Sequence, residues 1–192
     1  MRTSDSPSAK SSSRNSVSFQ SQAQRSAEAL AYAVMPCSLG FALIAMVGQR
    51  VRAILLGDSP QALVERLQQQ FPDTALTADE HPAPELVSKV IAMIDDPTRA
   101  AELPLDVRGT PFQIKVWQAL QHVPPGTTVS YTTIAEQIGA PNSVRAVAQA
   151  IGANSLAVAI PCHRVIRSDG ELSGYRWGVE RKRALLNREA GI

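Results

Sequence analysis

The sequence predicts an α+β protein with two halves, a small sheet-and-helix domain followed by a mainly helical domain. Three apolar stretches between residues 31 and 56 are separated by short spacers that contain glycine, which is typical of consecutive antiparallel strands. The second half instead carries helix-capping residues ahead of apolar positions at helical spacing. With 192 residues and 44% hydrophobic content, the chain is long enough to bury a core.

Residues 1–27 are predicted to be a disordered tail. They include ten serines and almost no large apolar side chains, so they cannot contribute to a core. The N-terminus lacks the apolar segment of a secretory signal, and no apolar run approaches the roughly 18 residues of a membrane span. We therefore expect a cytoplasmic protein with no membrane partner.

Residues 28–104 are predicted to form the N-terminal domain and its linker. The three strands are expected at Ala31–Val34, Phe41–Val47 and Val51–Leu56. Ser59 and Pro60 are typical of a helix start, and Pro84–Ile94 predicts a second helix. Residues 95–105 are rich in charge and contain two prolines, so they are the predicted linker.

Residues 105–192 are predicted to contain a helix-turn-helix. Thr110–Gln113 is typical of a capped helix start, and Ser130 caps a second helix that Gly139 ends. A third helix follows after a short turn, and the two helices around that turn form the motif. The predicted apolar face of the third helix consists of Val144, Val147, Ala148 and Ile151.

The opposite face of the third helix is predicted to be exposed. Arg145 and Gln149 lie one turn apart, flanked by Ala146 and Ala150, so a cationic donor projects from a surface of small side chains that suits a nucleic-acid backbone. Residues 1–104 carry 9 Lys and Arg against 11 Asp and Glu, whereas the remainder carries 10 against 6, which favours a polyanionic partner. An ordinary helix pair with one exposed arginine fits equally well.

Cys162 and His163 are the strongest chemical signal in the chain. They follow the apolar run Leu156–Ile160, which we predict to be a buried strand, so a soft nucleophile stands beside a base at a strand end. Adjacent side chains of an extended segment point to opposite sides, so a water or another residue would have to link the two. Glu189, on the partly apolar face of a C-terminal helix, is a candidate partner for an imidazole. A structural thiol beside an unrelated ring is the alternative.

The chain has two cysteines, Cys37 and Cys162, which are too few for a disulfide framework or a cysteine-rich zinc site. In the N-terminal half only Cys37 and His81 could serve in a zinc site of cysteines and histidines. We therefore predict free thiols and no metal ion.

Several segments together resemble a known family. They are Ile160–Val165, Val144–Ala148, Ala153-Asn154, Ser173–Gly178, and Leu185-Leu186 with Glu189. Over about Arg108–Glu189 their order and spacing resemble the methylated-DNA–protein-cysteine methyltransferases, or 6-O-alkylguanine-DNA alkyltransferases, and are similar to the C-terminal domain of Ada-type proteins. From about Leu30 the N-terminal domain resembles the ribonuclease-H-like domain of that family.

The resemblance implies direct-reversal DNA repair by a monomer without a cofactor. An alkyl group of 6-O-alkylguanine in double-stranded DNA would pass irreversibly to a cysteine, once per protein, after the damaged base has been flipped out. The family chemistry leaves 4-O-methylthymine open as a further substrate. Two other functions stay open, namely a non-catalytic DNA-binding protein that recognises alkyl damage, which would lack the acceptor cysteine, and a cysteine hydrolase, which would need an oxyanion hole.

The resemblance also implies a role for each catalytic residue. Cys162 would accept the alkyl group, His163 would deprotonate it through a water, and Glu189 would orient the imidazole. Asn154 would hold the active-site turn, and Tyr131 would protonate the departing guanine. If the pair activates the sulfur, we expect the pKa of Cys162 to lie well below the free value of about 8.5.

Two further groups of residues follow from the resemblance. The DNA-binding group is Arg145, Ala146, Gln149, Ala150 and Tyr131, in which the arginine fills the gap left by the flipped nucleotide. The substrate-pocket group is Val165, Ser173, Tyr175, Arg176 and Trp177. For Trp177, packing against the C-terminal helix is the alternative to lining the pocket.

Overall fold

The computed structural model describes residues 18–21, 28–79, 83–99, 102–172 and 174–192. In chain order the strands and helices are β1 (Ser18–Ser21), β2 (Leu30–Cys37), β3 (Gly40–Val47), β4 (Arg50–Gly57), α1 (Pro60–Gln70), β5 (Leu76–Ala78), α2 (Pro84–Asp95), β6 (Asp106–Gly109), α3 (Pro111–Gln121), β7 (Val129–Ser130), α4 (Tyr131–Gln137), α5 (Val144–Gly152), β8 (Val165–Ile166) and α6 (Val179–Glu189). Single 3-10 turns lie at Pro141–Ser143 and Cys162–Arg164. The predicted α+β class is confirmed.

The N-terminal half is built on a sheet with the strand order β4-β3-β2-β5. β2, β3 and β4 pair antiparallel, as predicted, and β5 adds to β2 in parallel. Because side chains alternate across a sheet, Leu43 and Leu55 face one side and Ile44 and Ile54 the other. α1 covers the first side with Leu63 and Leu67, and α2 lies on the second.

β1 lies within the tail for which disorder was predicted. Its four residues, 18–21, pair in parallel with β6. Backbone groups alone form such a ladder, so a serine-rich composition gives no sign of it. The other residues of the predicted tail lie outside the described ranges.

The helix-turn-helix prediction agrees with α4, the turn after it and α5. Ser130 accepts a hydrogen bond from the backbone of Thr133 at 3.0 Å, and Gly139 ends α4 with a φ of 72°. α3 begins with the predicted capping box, in which the side chains of Thr110 and Gln113 each accept a hydrogen bond from the other residue's backbone N–H.

One face of α5 differs from the prediction. The buried residues are Val147, Ala150 and Ile151, whereas Ala148, expected in the core, is exposed. Ala150, expected among the DNA-binding residues, is 3% exposed, and its carbonyl accepts a hydrogen bond from Trp117 Nε1 at 2.9 Å. Two alanines alone carry no polarity signal, so the sequence pattern could not decide which one the indole covers.

The predicted linker is packed rather than free where the structure describes it. Leu103 and Leu105 are 3% exposed, and the backbone of Val51 donates a hydrogen bond to Pro104 at 2.8 Å. Buried residues of both halves form one continuous apolar cluster. The domain boundary at residue 104 stays a prediction.

Three contacts fix the C-terminal half against the N-terminal half. Ile54 of β4 pairs with Leu156 in an isolated parallel bridge. From α6, Arg181 Nε donates to the carbonyl of Leu39 at 2.9 Å, and Arg188 Nη1 donates to Ser38 Oγ at 2.8 Å. None of the helices in the described part of the chain combines the length and apolar character that crossing a bilayer requires.

Candidate active site

The segment before Cys162 is a series of tight turns, not the predicted strand. After Leu156, the backbone N–H of Ala159 donates to Ala157 at 2.7 Å around Val158, which has a positive φ of 65°. Such a φ is strained in a β-branched residue. The local apolar pattern suits a strand, but these backbone bonds fold the segment on itself, and Cys162, His163 and Arg164 continue it as one 3-10 turn.

Asn154 holds this turn with its side-chain amide. Its Nδ2 donates to the carbonyl of Ile160 at 3.0 Å and reaches Cys162 Sγ at 3.2 Å, and its Oδ1 accepts from the backbone of Leu156 at 2.9 Å. The residue is 1% exposed. Asn154 therefore connects both ends of the turn to the sulfur.

His163 and Glu189 form a buried pair. His163 Nε2 lies 2.8 Å from Glu189 Oε1, and both side chains are fully buried. Burial alone would raise the pKa of Glu189, but hydrogen bonds from His163 and Arg164 outweigh it and lower the pKa to about 2. Because an ionised carboxylate only accepts hydrogen bonds, we assign the imidazole proton to Nε2.

This assignment makes Nδ1 the basic atom of the neutral imidazole. Burial lowers the pKa of His163, although Glu189 opposes the shift, so the ring is neutral at physiological pH. Nδ1 is buried and has no hydrogen-bond partner among the described residues. The pair therefore contains a neutral imidazole with one unused lone pair, and this imidazole belongs to the residue that follows Cys162 in the sequence.

Arg164 is a part of the site that the sequence did not indicate. Its guanidinium donates to Glu189 through Nε and Nη2, the latter at 2.8 Å, and its Nη1 donates to the carbonyl of Val123 at 2.6 Å. The backbone N–H of Gly126 adds a further bond to Glu189 Oε2 at 3.2 Å. From the sequence alone, an arginine in a short motif is expected at the surface. Its burial is explained by the buried carboxylate of Glu189, which it contacts.

The prediction of a lowered pKa for Cys162 is wrong for this structure. Cys162 is 4% exposed, and burial raises the pKa of its thiol to about 11, although Asn154 and Lys182 oppose the shift. The neutral thiol is therefore the resting form, and its proton has to be removed during any reaction.

Lys182 is a second buried cation that the sequence did not assign to the site. It is 1% exposed, and its Nζ donates to the carbonyl of Val165 at 2.6 Å. Burial lowers the pKa of Lys182 to about 8, although the nearby Cys162 opposes the shift.

The predicted pocket residues lie in different environments. Ser173 lies outside the described residues, and Val165 is fully buried. Burial is the largest cause that raises the pKa of Tyr175 well above its usual value, and the charge that Cys162 carries when ionised is the next. The second cause indicates that the phenol lies near the sulfur. Trp177 is 2% exposed and packs edge-on against Tyr175 with a ring separation of 5.1 Å, so its burial favours the packing alternative.

The predicted DNA-binding residues, apart from Ala150, lie at the surface or are half-buried. Arg145, Ala146 and Gln149 are exposed on α5, and Tyr131 is half-buried at the first position of α4. Arg145 forms no ion pair within the described part of the chain. This face therefore presents one uncompensated cation among small side chains.

Comparison with known proteins decides the family. Residues 111–191 match the family model for the DNA-binding domain of 6-O-methylguanine DNA methyltransferase. The inducible methylated-DNA–protein-cysteine methyltransferase of Bacillus subtilis is 39% identical over 129 residues, which cover 67% of this chain and 72% of that protein. The chain belongs to the methylated-DNA–protein-cysteine methyltransferase family.

Other members of the methyltransferase family match over more of the chain. The bifunctional transcriptional activator/DNA repair enzyme Ada of Escherichia coli is 52% identical over 84% of this chain but over only 46% of its own length. The chain thus spans about half the length of several curated relatives that it matches. The crystal structure of Mycobacterium tuberculosis OGT in complex with DNA superimposes with a TM-score of 0.72 and 35% identity, covering 84% of this chain and 93% of that chain.

The part of the chain that matches the family model contains every predicted catalytic residue. Tyr131, Asn154, Cys162, His163 and Glu189 all lie within residues 111–191. The structure links four of them through side-chain contacts in two groups, Asn154 with Cys162 and His163 with Glu189. In this family member, the two groups are joined through the adjacent Cys162 and His163.

Proposed function

We propose that this protein repairs alkylated DNA by moving an alkyl group from 6-O-alkylguanine to Cys162, once and irreversibly. The observation that carries the proposal is the neutral His163, which follows a buried, protonated thiol in the sequence, donates to Glu189 through Nε2 and has no hydrogen-bond partner for Nδ1 among the described residues. A thiol that only packs in the core needs no base, whereas a thiol that acts as a nucleophile needs a base to remove its proton.

The transfer is a displacement at the alkyl carbon. The thiol proton passes to His163 Nδ1 through a water, the sulfur lone pair forms the new S–C bond, and the C–O bond to guanine breaks with its electron pair on the base. Tyr131 gives the departing base a proton and regains one that left the thiol. In sum, the alkyl group replaces the thiol hydrogen and guanine gains that hydrogen, so no cofactor takes part.

The substrate is proposed to be double-stranded DNA that carries the alkylated base. Its reactive carbon lies inside the base stack, so the nucleotide has to be flipped out before Cys162 can reach it. Arg145 is the exposed cation that would enter the duplex and hold the gap open. Ala146 and Gln149 would lie against the backbone beside it, with the protein bound as a monomer.

The test is intact-mass analysis after incubation with an oligonucleotide that contains one 6-O-methylguanine. We expect the protein to gain the mass difference between a methyl group and a hydrogen, in a one-to-one ratio with the repaired DNA. Peptide mapping should place the methyl group on Cys162, and Cys162→Ala should bind the DNA without gaining mass. A methyl group on Cys37 would contradict the assignment.

A Tyr131→Phe variant tests the proton donor. The change removes the hydroxyl and keeps the ring, so methyl transfer should slow with duplex DNA and also with a free alkylated base. If the parent protein bound the alkylated DNA without any methyl transfer, the result would instead support the non-catalytic function. In that case a labelled methyl group would stay on the DNA.

A further inference from the structure

Arg176 lies in residues 174–178, here called the pocket loop, and joins this loop to both halves of the protein. Its Nη1 donates to the carbonyls of Ala153 and Asn154 at 3.2 and 3.1 Å, and its Nη2 donates to Gln70 Oε1 at 2.7 Å. Gln70 is the last residue of α1, so the bond to Gln70 crosses from the C-terminal half to the N-terminal half. Three polar contacts therefore converge on one half-buried side chain.

These contacts form a continuous chain that ends at the nucleophile. Gln70 holds Arg176, Arg176 holds the backbone of Asn154, and the side chain of Asn154 reaches Cys162 Sγ at 3.2 Å. The first member has a fixed position because Leu63 and Leu67 of the same helix are 2% and 0% exposed against the sheet. Gln70 thus acts from a rigid support.

Gln70 Oε1 is the atom of the N-terminal half that accepts a hydrogen bond from Arg176. Burial is the main cause that lowers the pKa of Arg176, and the charge of Arg66, one helical turn before Gln70, lowers it further. Without Gln70 the guanidinium would retain only the two carbonyls and would still face a like charge. The loop residues on either side are Tyr175, which lies near Cys162, and the core residue Trp177.

We propose that Gln70 is a specificity-determining position, which acts through Arg176 to hold the pocket loop against Ala153 and Asn154 and so limits the size of the group that can reach Cys162. The inference rests on the proposed function of Cys162 as an alkyl acceptor. It assigns to the N-terminal half a part in substrate choice, although that half supplies no predicted catalytic residue.

The experiment compares the full-length parent with Gln70→Ala, Gln70→Glu and Gln69→Ala. Gln69 is exposed on the same helix, so Gln69→Ala makes the same chemical change without touching Arg176. The readout is the ratio of benzyl to methyl transfer rates, measured with oligonucleotides that contain 6-O-benzylguanine or 6-O-methylguanine. We expect Gln70→Ala to raise this ratio about tenfold, the lower end of the effect of losing one hydrogen bond to a charged group.

Gln70→Glu keeps an acceptor in place, so its ratio should equal that of the parent or fall below it. An unchanged ratio in Gln70→Ala overturns the inference. An equal rise in Gln69→Ala also overturns it, because the effect would then come from a general loosening of α1. A rise in Gln70→Glu as large as in Gln70→Ala would do the same, since a carboxylate would hold Arg176.

A second readout separates this inference from the proposed function. Cys162 is alkylated with a small reagent, iodoacetamide, and a large one, N-benzylmaleimide, and the product on Cys162 is quantified by peptide mapping. We expect Gln70→Ala to raise the large-to-small ratio even if no methyl transfer from DNA occurs in the parent, a result that would refute the proposed function alone. An unchanged reagent ratio in a folded variant overturns the inference about Gln70.

Discussion

The buried carboxylate of Glu189 should make the stability of the protein depend on pH in a defined window. Glu189 accepts hydrogen bonds from His163, Arg164 and Gly126, and its pKa is lowered to about 2. A carboxyl group whose folded pKa is depressed stabilises the fold above its unfolded pKa of about 4.3 and loses that contribution as pH falls through the folded pKa. A shift of about two units corresponds to about 3 kcal/mol at pH 7.

Glu189→Gln removes this charge and keeps the shape. We expect the free energy of unfolding at pH 7 to fall by about 3 to 5 kcal/mol, because Arg164 is left as a buried cation without its carboxylate. At about pH 3.5 the difference should shrink by about 1 kcal/mol, since the parent has lost part of the same contribution. Most of the remainder should disappear by about pH 2.

Urea unfolding at several pH values measures this difference. Glu180→Gln is the matched control, because Glu180 lies on the same helix and pairs with Arg183 at the surface, where such a pair contributes about 0 to 1 kcal/mol. A difference between the Glu189→Gln variant and the parent that does not change with pH would refute the reasoning. It would mean that the carboxylate acts through packing and not through its charge.

Three other predictions concern the DNA surface, the thiol and the core. Arg145→Ala should slow repair of duplex DNA by about tenfold or more but leave reaction with free 6-O-benzylguanine near the parent rate, and equal losses would argue against a role in flipping. Lys182→Met should raise the pKa of Cys162 further and slow its alkylation by iodoacetamide at pH 8 by about three- to tenfold, which a pH profile would measure. Gly109→Ala would place a methyl group 2.5 Å from the Trp117 ring and should cost about 1 to 3 kcal/mol in urea unfolding; a change below about 0.5 kcal/mol would contradict that steric account.

The elements with local signals could be predicted from the sequence. The capping box at Thr110, the cap at Ser130 and the glycine at 139 each act over three or four residues, and the structure has α3 and α4 where they indicate. The apolar stretches of the N-terminal strands and the short glycine-containing spacers between them are equally local. Such signals depend on backbone hydrogen bonds that neighbouring residues supply, so sequence alone contains them.

Several features that the sequence analysis missed or predicted wrongly depend on residues far apart in the chain. The burial of Ala150 follows from the indole of Trp117, and the raised pKa of Cys162 follows from how completely the fold covers the sulfur. Arg164 lies inside because Glu189 is 25 residues away in sequence and directly beside it in space. A pattern read along the chain predicts which residues are apolar, but not which distant partner covers them.

The bridge between Ile54 and Leu156 has a consequence for how the site forms during folding. The backbone N–H of Ile54 donates to Ser155 at 2.8 Å, and that of Ala157 donates to Ile54 at 3.1 Å, so residues about a hundred positions apart share two hydrogen bonds. Closing such a loop has to be compensated by contacts that exist only once β4 is in place. The turn that carries Cys162 is therefore expected to acquire its final conformation late, and the amide hydrogens of Ile54 and Ala157 should exchange together with the slowest in the protein.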